Sequence, residues 1–183
     1  MNLRQISIES AESIKAQITE EEVLAALKKL GQNGAPGPDG FQVSIIVKCW
    51  YFMKTDIMRV VKVFEDCGFI DWRLKFTFII LIPKKEIVEE VKDLSPISLT
   101  GIVYKDISKV FAERIKPLLH SVISPHQTAF IKGRQILDSI LVDNECLDSI
   151  LKDKNPGIIC KIDLEKAFDN IKWSFIDQVL QAM

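Results

Sequence analysis

Asp163 closes the apolar run Ile158-Ile159-Cys160-Lys161-Ile162. A carboxylate at the end of a buried strand stands at a sheet rim, where a metal ion or a phosphate can approach. Phosphoryl-transfer enzymes often use two divalent ions held by carboxylates from separate strands. One ion lowers the pKa of the attacking hydroxyl and the other stabilises the leaving oxygen. The plainer role for Asp163 is to cap the turn or helix that follows, and spacing alone favours it.

Ile82-Pro83-Lys84-Lys85, followed by Lys92-Asp93-Leu94-Ser95-Pro96-Ile97-Ser98-Leu99, reads as a strand, a lysine-bearing loop and a second extended piece. Lysines on a hairpin-like loop can hold a triphosphate as point charges. They can equally be edge-strand charges that discourage aggregation, and spacing favours that role. Phe130-Ile131-Lys132-Gly133-Arg134-Gln135 opens a helix. Its amides, with Lys132 and Arg134, can receive a phosphate, and a solvated helix start N-capped by Gly133 fits as well. Cys49, Cys67, Cys146 and Cys160 fit no zinc spacing, and His120 and His126 add no ligand pattern. The adjacent Trp50, Tyr51 and Phe52 point different ways on a helix, which suits core or interface better than a stacking platform.

The elements that must position these residues follow from periodicity and punctuation. Residues 1–17 form a weakly patterned leader. Thr19 and Glu22 form a capping box, then Val23, Leu24, Leu27 and Leu30 share a helical face that ends at Gly31. Ala35-Pro36-Gly37-Pro38-Asp39-Gly40 is a rigid turn. Helices are expected over 42–53 and 56–66, the second turning Ile57, Val60, Val61 and Phe64 inward before Gly68. A strand is expected over 75–82, closed by Pro83. A helix covers 102–119, with Pro117 straining its last turn. Another long amphipathic helix follows Gly133, a strand runs from 158 to 163, and a last helix begins near Trp173.

The 183 residues carry 48% apolar and 27% charged residues, with a net charge of −1. That is globular composition, and the near-neutral total weighs against a nucleic-acid binder. Arg73 to Lys116 still holds nine basic residues against six acidic ones. No apolar h-region is visible at the start and no run approaches membrane-spanning length. The expectation is an intracellular protein, nuclear or cytoplasmic, that is neither secreted nor membrane-bound.

The order of the blocks is more specific than any one of them. Ala35 to Phe41, then Phe78 to Lys85, then Asp93 to Leu99 with Val103 to Val110, then Ile123 to Phe130 with Gly133 to Asp138, and finally Lys161 to Asp169 with Trp173, resemble LINE-type, non-LTR retrotransposon reverse transcriptases, the plant lineages especially. The resemblance covers residue 18 onward. It implies an α/β (α+β) chain, helix-rich with a few short strands, made of the fingers and the beginning of the palm of a right-hand polymerase. Residues 18–155 would be fingers and palm-supporting helices, and 156–183 the start of a truncated palm. Asp163 would be the catalytic, metal-binding aspartate. The Leu164 carbonyl would complete the nucleotide and metal site, and Phe168 would be the steric gate against a ribose 2′-hydroxyl. Lys84 would contact the incoming triphosphate. Lys132, Arg134 and the Pro-Gly-Pro-Asp-Gly loop would lie along the nucleic-acid path.

The complete family enzyme would use Mg2+ or Mn2+, an RNA template, a DNA primer and deoxynucleoside triphosphates, with no ion stably held by this chain alone. Three departures matter. Ser95 stands where the family has an arginine, Gly34 where a lysine is common, and the later Phe/Tyr-Ala-Asp-Asp block does not occur. The expectation is a fragment inactive alone, prone to self-association through its truncated palm. The alternative is a non-enzymatic RNA- or protein-binding module derived from such a polymerase.

Overall fold

The computed structural model describes residues 4–153, 158, 160, 162 and 167–183. The chain divides into two compact units, Ile14–Arg114 and Met1–Ser13 with Ile115–Met183. The boundary expected at 155–156, the Asn155-Pro156-Gly157 turn and most of the strand expected over 158–163 lie outside the described residues.

In the first unit, α2 (Glu20–Lys29) starts at the expected capping box. The Thr19 hydroxyl accepts from the Glu22 amide and the Glu22 carboxylate accepts from the Thr19 amide. The helix buries Val23, Ala26 and Leu27. The next two helices divide earlier than the periodicity predicts. They are α3 (Val43–Lys48) and α4 (Trp50–Cys67), and Cys49 leaves helical geometry at φ −96°, ψ 11°. α4 stops at Gly68, which takes the left-handed C-terminal position at φ +67°. A 3-10 turn, Trp72–Lys75, precedes β1 (Thr77–Pro83), so the strand begins two residues later than expected. β2 (Leu94–Thr100) returns antiparallel, with Thr77 opposite Thr100 and Pro83 opposite Leu94. α5 (Ile102–Ile115) packs Ile102, Ile107 and Val110 inward. The core joins these to Leu27, Trp50 and Val61. At roughly 1.5–3 kcal/mol for each large buried apolar side chain, this cluster dominates the stability of the unit.

Pro96 does not interrupt the hairpin, for a reason visible in the register. The Lys84 amide donates to the Asp93 carbonyl at 2.8 Å, and hydrogen-bonded pairs alternate from there along an antiparallel ladder. Pro96, opposite Leu81, falls on a non-bonded pair, so its missing N–H costs the ladder nothing. The strands stay open to solvent: Ile79 is 67% exposed and Leu81 51%.

The second unit ends α5 as Pro117 requires. A 3-10 turn, Lys116–Leu118, follows at once and leads into the short α6 (Leu119–Val122). α7 (Ile136–Asp153), α8 (Ala167–Asn170) and α9 (Trp173–Ala182) complete the described elements. Neither α7 nor α9 contains a buried residue. The sequence places α7 with residues 18–155 and marks it as amphipathic, with one apolar face to cover. Its apolar positions Leu137, Leu141 and Leu151 are instead all more than 60% exposed. The N-terminal leader also departs from expectation, because it carries α1 (Ile8–Lys15). Its start is marked by the Ser7 hydroxyl, which accepts from the Ser10 amide, and no buried residue gave the sequence a period to read. No described helix is long and apolar enough to cross a membrane.

Candidate nucleotide and nucleic-acid interface

Lys84 leaves the end of β1 into the hairpin loop, and one carboxylate organises that loop. Asp93 is 8% exposed. Its Oδ2 accepts from the amides of Glu89 and Glu90 at 3.1 and 3.0 Å and pairs with Lys85 Nζ at 2.8 Å. The Lys85 ammonium and the two amides hold the Asp93 carboxyl below its ordinary pKa. Lys92 pairs with Glu90 at 2.7 Å. Lys84 differs from both neighbouring lysines in its hydrogen-bond partner: its Nζ donates to the Lys92 carbonyl at 3.1 Å, while its charge, across the ladder from Asp93, helps to hold that carboxyl low. Its exposed position leaves it able to meet an anion.

The register settles which residue accompanies it. Ser95 is opposite Ile82, and Lys84 follows Ile82 by two, so Ser95 and Lys84 share a face of the hairpin. Ser95 thus lies where an anion held by Lys84 can be reached, but a single hydroxyl cannot replace a guanidinium fork.

The Pro-Gly-Pro-Asp-Gly loop has a structural task. A side chain at Gly37 would come within 2.8 Å of the Gly101 nitrogen and closer still to the Thr100 carbonyl. Asp39 Oδ2 accepts from the Ile102 amide and Oδ1 from the Phe41 amide at 3.3 Å, so Asp39 caps the start of α5 across 63 residues of chain. The same residue borders an apolar cavity of about 410 Å³ lined by Met53, Ile57, Phe76 and Val103. Both charged groups at that cavity are committed, Asp39 to α5 and Arg73 to Asp71, so it offers no phosphate site.

In the second unit, Arg134 is also committed. Its guanidinium donates to the carbonyls of Ile123, Ser124 and Gln127, tying the 123–127 loop to the segment that leads into α7. Lys132 is exposed beside it. Gly133 has φ +84°, a conformation that favours glycine, rather than serving as the helix N-cap. Trp50 is buried with Nε1 donating to Glu20, while Tyr51 and Phe52 are exposed, so the three adjacent rings form no platform.

Asp163 and Leu164 lie outside the described residues. Phe168 falls in α8, its side chain likewise outside them. No group of three His, Cys, Asp or Glu side chains able to hold a metal ion occurs among the described residues. The structure therefore brings Lys84, Ser95 and Asp93 together. Sequence reasoning missed the organising role of Asp93 and the cap at Asp39. The signal for Asp93 was its place immediately before the second extended piece.

Three matches relate the chain to known proteins. Residues 82–183, 102 of the 183, match the family model described as reverse transcriptase (RNA-dependent DNA polymerase). The chain is 28% identical over 177 residues to the Transposon TX1 uncharacterized 149 kDa protein of Xenopus laevis, covering 97% of this chain and 14% of that protein. It is 24% identical over 174 residues to the retrovirus-related Pol polyprotein from type-2 retrotransposable element R2DM of Drosophila melanogaster, covering 94% of this chain and 16% of that protein. The chain thus spans about a seventh of the length of these relatives, and its match to the family model opens inside β1, two residues before Lys84. This chain belongs to the reverse transcriptase family.

Proposed function

We propose that the chain is the fingers and the opening of the palm of a non-LTR, LINE-type reverse transcriptase of plant-like lineage, and that its β1–β2 hairpin receives the triphosphate of an incoming deoxynucleotide. The observation that carries this reading is the placement of Lys84. Its side chain is exposed and shares a hairpin face with Ser95, and its ammonium is hydrogen bonded to a backbone carbonyl where Lys85 and Lys92 are hydrogen-bond partners of carboxylates. Family membership supplies the rest: an RNA template, a DNA primer, and divalent magnesium or manganese at Asp163. Arg134, which holds its loop, would position Lys132 rather than touch phosphate itself. Phe168 would exclude the ribose 2′-hydroxyl.

The 183 residues contain no pair of consecutive aspartates, so they supply one of the carboxylates that a two-ion site needs. On this reading, the 183-residue polypeptide alone binds substrates without joining them.

The test is kinetic. The chain is fused to the palm and thumb of an active reverse transcriptase of this type, and deoxynucleotide KM is measured by primer extension. Lys84→Ala should raise KM. Ser95→Arg should lower it by roughly 10- to 100-fold, since a charged bidentate contact contributes on the order of 1.5–3 kcal/mol. An unchanged KM for both variants would remove the hairpin from the triphosphate site.

A further inference from the structure

Phe130 is fully exposed, at 101% of its reference surface, and its backbone takes φ +66°, the one positive φ outside glycine among the described residues. Left-handed backbone is disfavoured for any side chain with a Cβ, and it persists only where the surroundings over-determine it. They do so here. On one side the Thr128 and Ser139 hydroxyls are hydrogen bonded at 2.8 Å. On the other, Ile131 is buried, the Arg134 amide donates to the Ile131 carbonyl at 3.2 Å, and Gly133 takes the second positive φ of the loop. The Arg134 guanidinium then fastens the loop to Ser124 and Gln127. The chain is pinned before and after Phe130, and the ring is held out in water.

An aromatic ring gains nothing from solvent, so a strained backbone that presents one marks a surface made to be covered. The residues around it in the loop say what by. His126, Gln127, Lys132 and Gln135 are all exposed; no carboxylate occurs from Ser124 to Leu137, and the first beyond it, Asp138, accepts from the Gln135 amide at 3.4 Å. A single flat apolar ring among polar and basic side chains matches the face of a nucleobase with its phosphate nearby, which is how single-stranded nucleic acid is held without sequence preference.

We propose that Phe130 is a stacking post for a base of single-stranded RNA, with Lys132 meeting the adjacent phosphate. This rests on the reading above that the chain follows an RNA template, and it identifies the ring on which that strand is seated.

The experiment is fluorescence anisotropy of the 183-residue chain with a labelled single-stranded RNA 12-mer at low salt, alongside thermal unfolding of each variant. Phe130→Ala should weaken binding roughly 5- to 100-fold, the range that loss of one base–aromatic stack produces. Phe130→Trp should bind at least as tightly as the native chain, and Lys132→Ala should weaken binding and flatten its salt dependence. Phe130→Gly separates this role from a structural one: it should raise Tm, because glycine relieves the strained φ, and still lose affinity. Equal RNA affinity for the native chain and Phe130→Ala would overturn the inference while leaving the function standing. Absence of RNA binding by the native chain would overturn the template reading itself.

Discussion

Asp106 lies on α5 with 1% of its surface exposed, and its Oδ1 has no hydrogen-bond partner. Burial alone pushes its carboxyl up to about 7. The unfolded chain releases that proton near the ordinary value, so between roughly pH 4 and pH 7 the folded state binds more protons than the unfolded one. Stability therefore falls as pH rises through that window, by up to about 1.4 kcal/mol per pH unit, and levels off above it. Asp93 and Glu22 act in the opposite sense. Their carboxyls are lowered, by Lys85 and by Arg114 respectively, and what they contribute is lost as pH falls below the ordinary carboxylate range. Asp106→Leu isolates the first effect. Urea unfolding should show the variant more stable than the native chain at pH 8, with the advantage shrinking toward pH 4. An advantage independent of pH would mean that Asp106 does not titrate in this range.

At the scale of elements, what the sequence disclosed depended on how far apart the partners lie. The Thr19–Glu22 box and the stop at Gly68 involve residues a few positions apart, and both were legible. The helix expected over 102–119 instead ends at Ile115, because Pro117 turns the next residues into a 3-10 turn rather than merely straining the helix. The hairpin was legible as two extended pieces around a lysine loop, because its turn is local. Cys49 carries no helix-breaking side chain, and its place as the divider between α3 and α4 came from packing that no window of sequence contains. The capping of α5 by Asp39 was invisible for the same reason: donor and acceptor are 63 residues apart. The Pro-Gly-Pro-Asp-Gly loop consequently reads as a nucleic-acid element by resemblance and as a latch by geometry. Asp39→Ala should cost about 0.5–2 kcal/mol, the usual loss for an N-cap. Gly37→Ala should be worse, since its new carbon meets backbone at Thr100 and Gly101. Both are read by denaturant unfolding. Gly34→Ala, whose added carbon meets one atom at 3.4 Å, is the control with little expected change. An Asp39→Ala chain as stable as the native one would show that the α5 amides are satisfied without it.

Across the whole chain, burial is distributed unevenly. The core cluster runs from Ile18 to Val110, within Ile14–Arg114, while α7 and α9 bury nothing. Arg114 reinforces the first unit: it pairs with Glu22 and donates to the carbonyls of Ile14, Ala16 and Gln17. Native-state hydrogen exchange should be slow along α5 and α2 and fast along α7 and α9. Exposed apolar positions on α9, Phe175 and Leu180 among them, should drive self-association that rises with concentration. Uniform protection in a monodisperse monomer would contradict that distribution.

The family assignment itself was legible because the blocks keep their order along the chain. The posture of Phe130 and the burial of Asp106 were not, because each depends on a backbone conformation or a packed neighbour. The most direct test of the account is primer extension on an RNA template, run on the 183-residue chain and on the same chain fused to the palm and thumb of an active reverse transcriptase of this type. The chain alone should incorporate nothing with either Mg2+ or Mn2+, the fusion should extend the primer, and Asp163→Ala should abolish that extension. Template-directed incorporation by the chain alone, or a fusion indifferent to Asp163→Ala, would contradict the account.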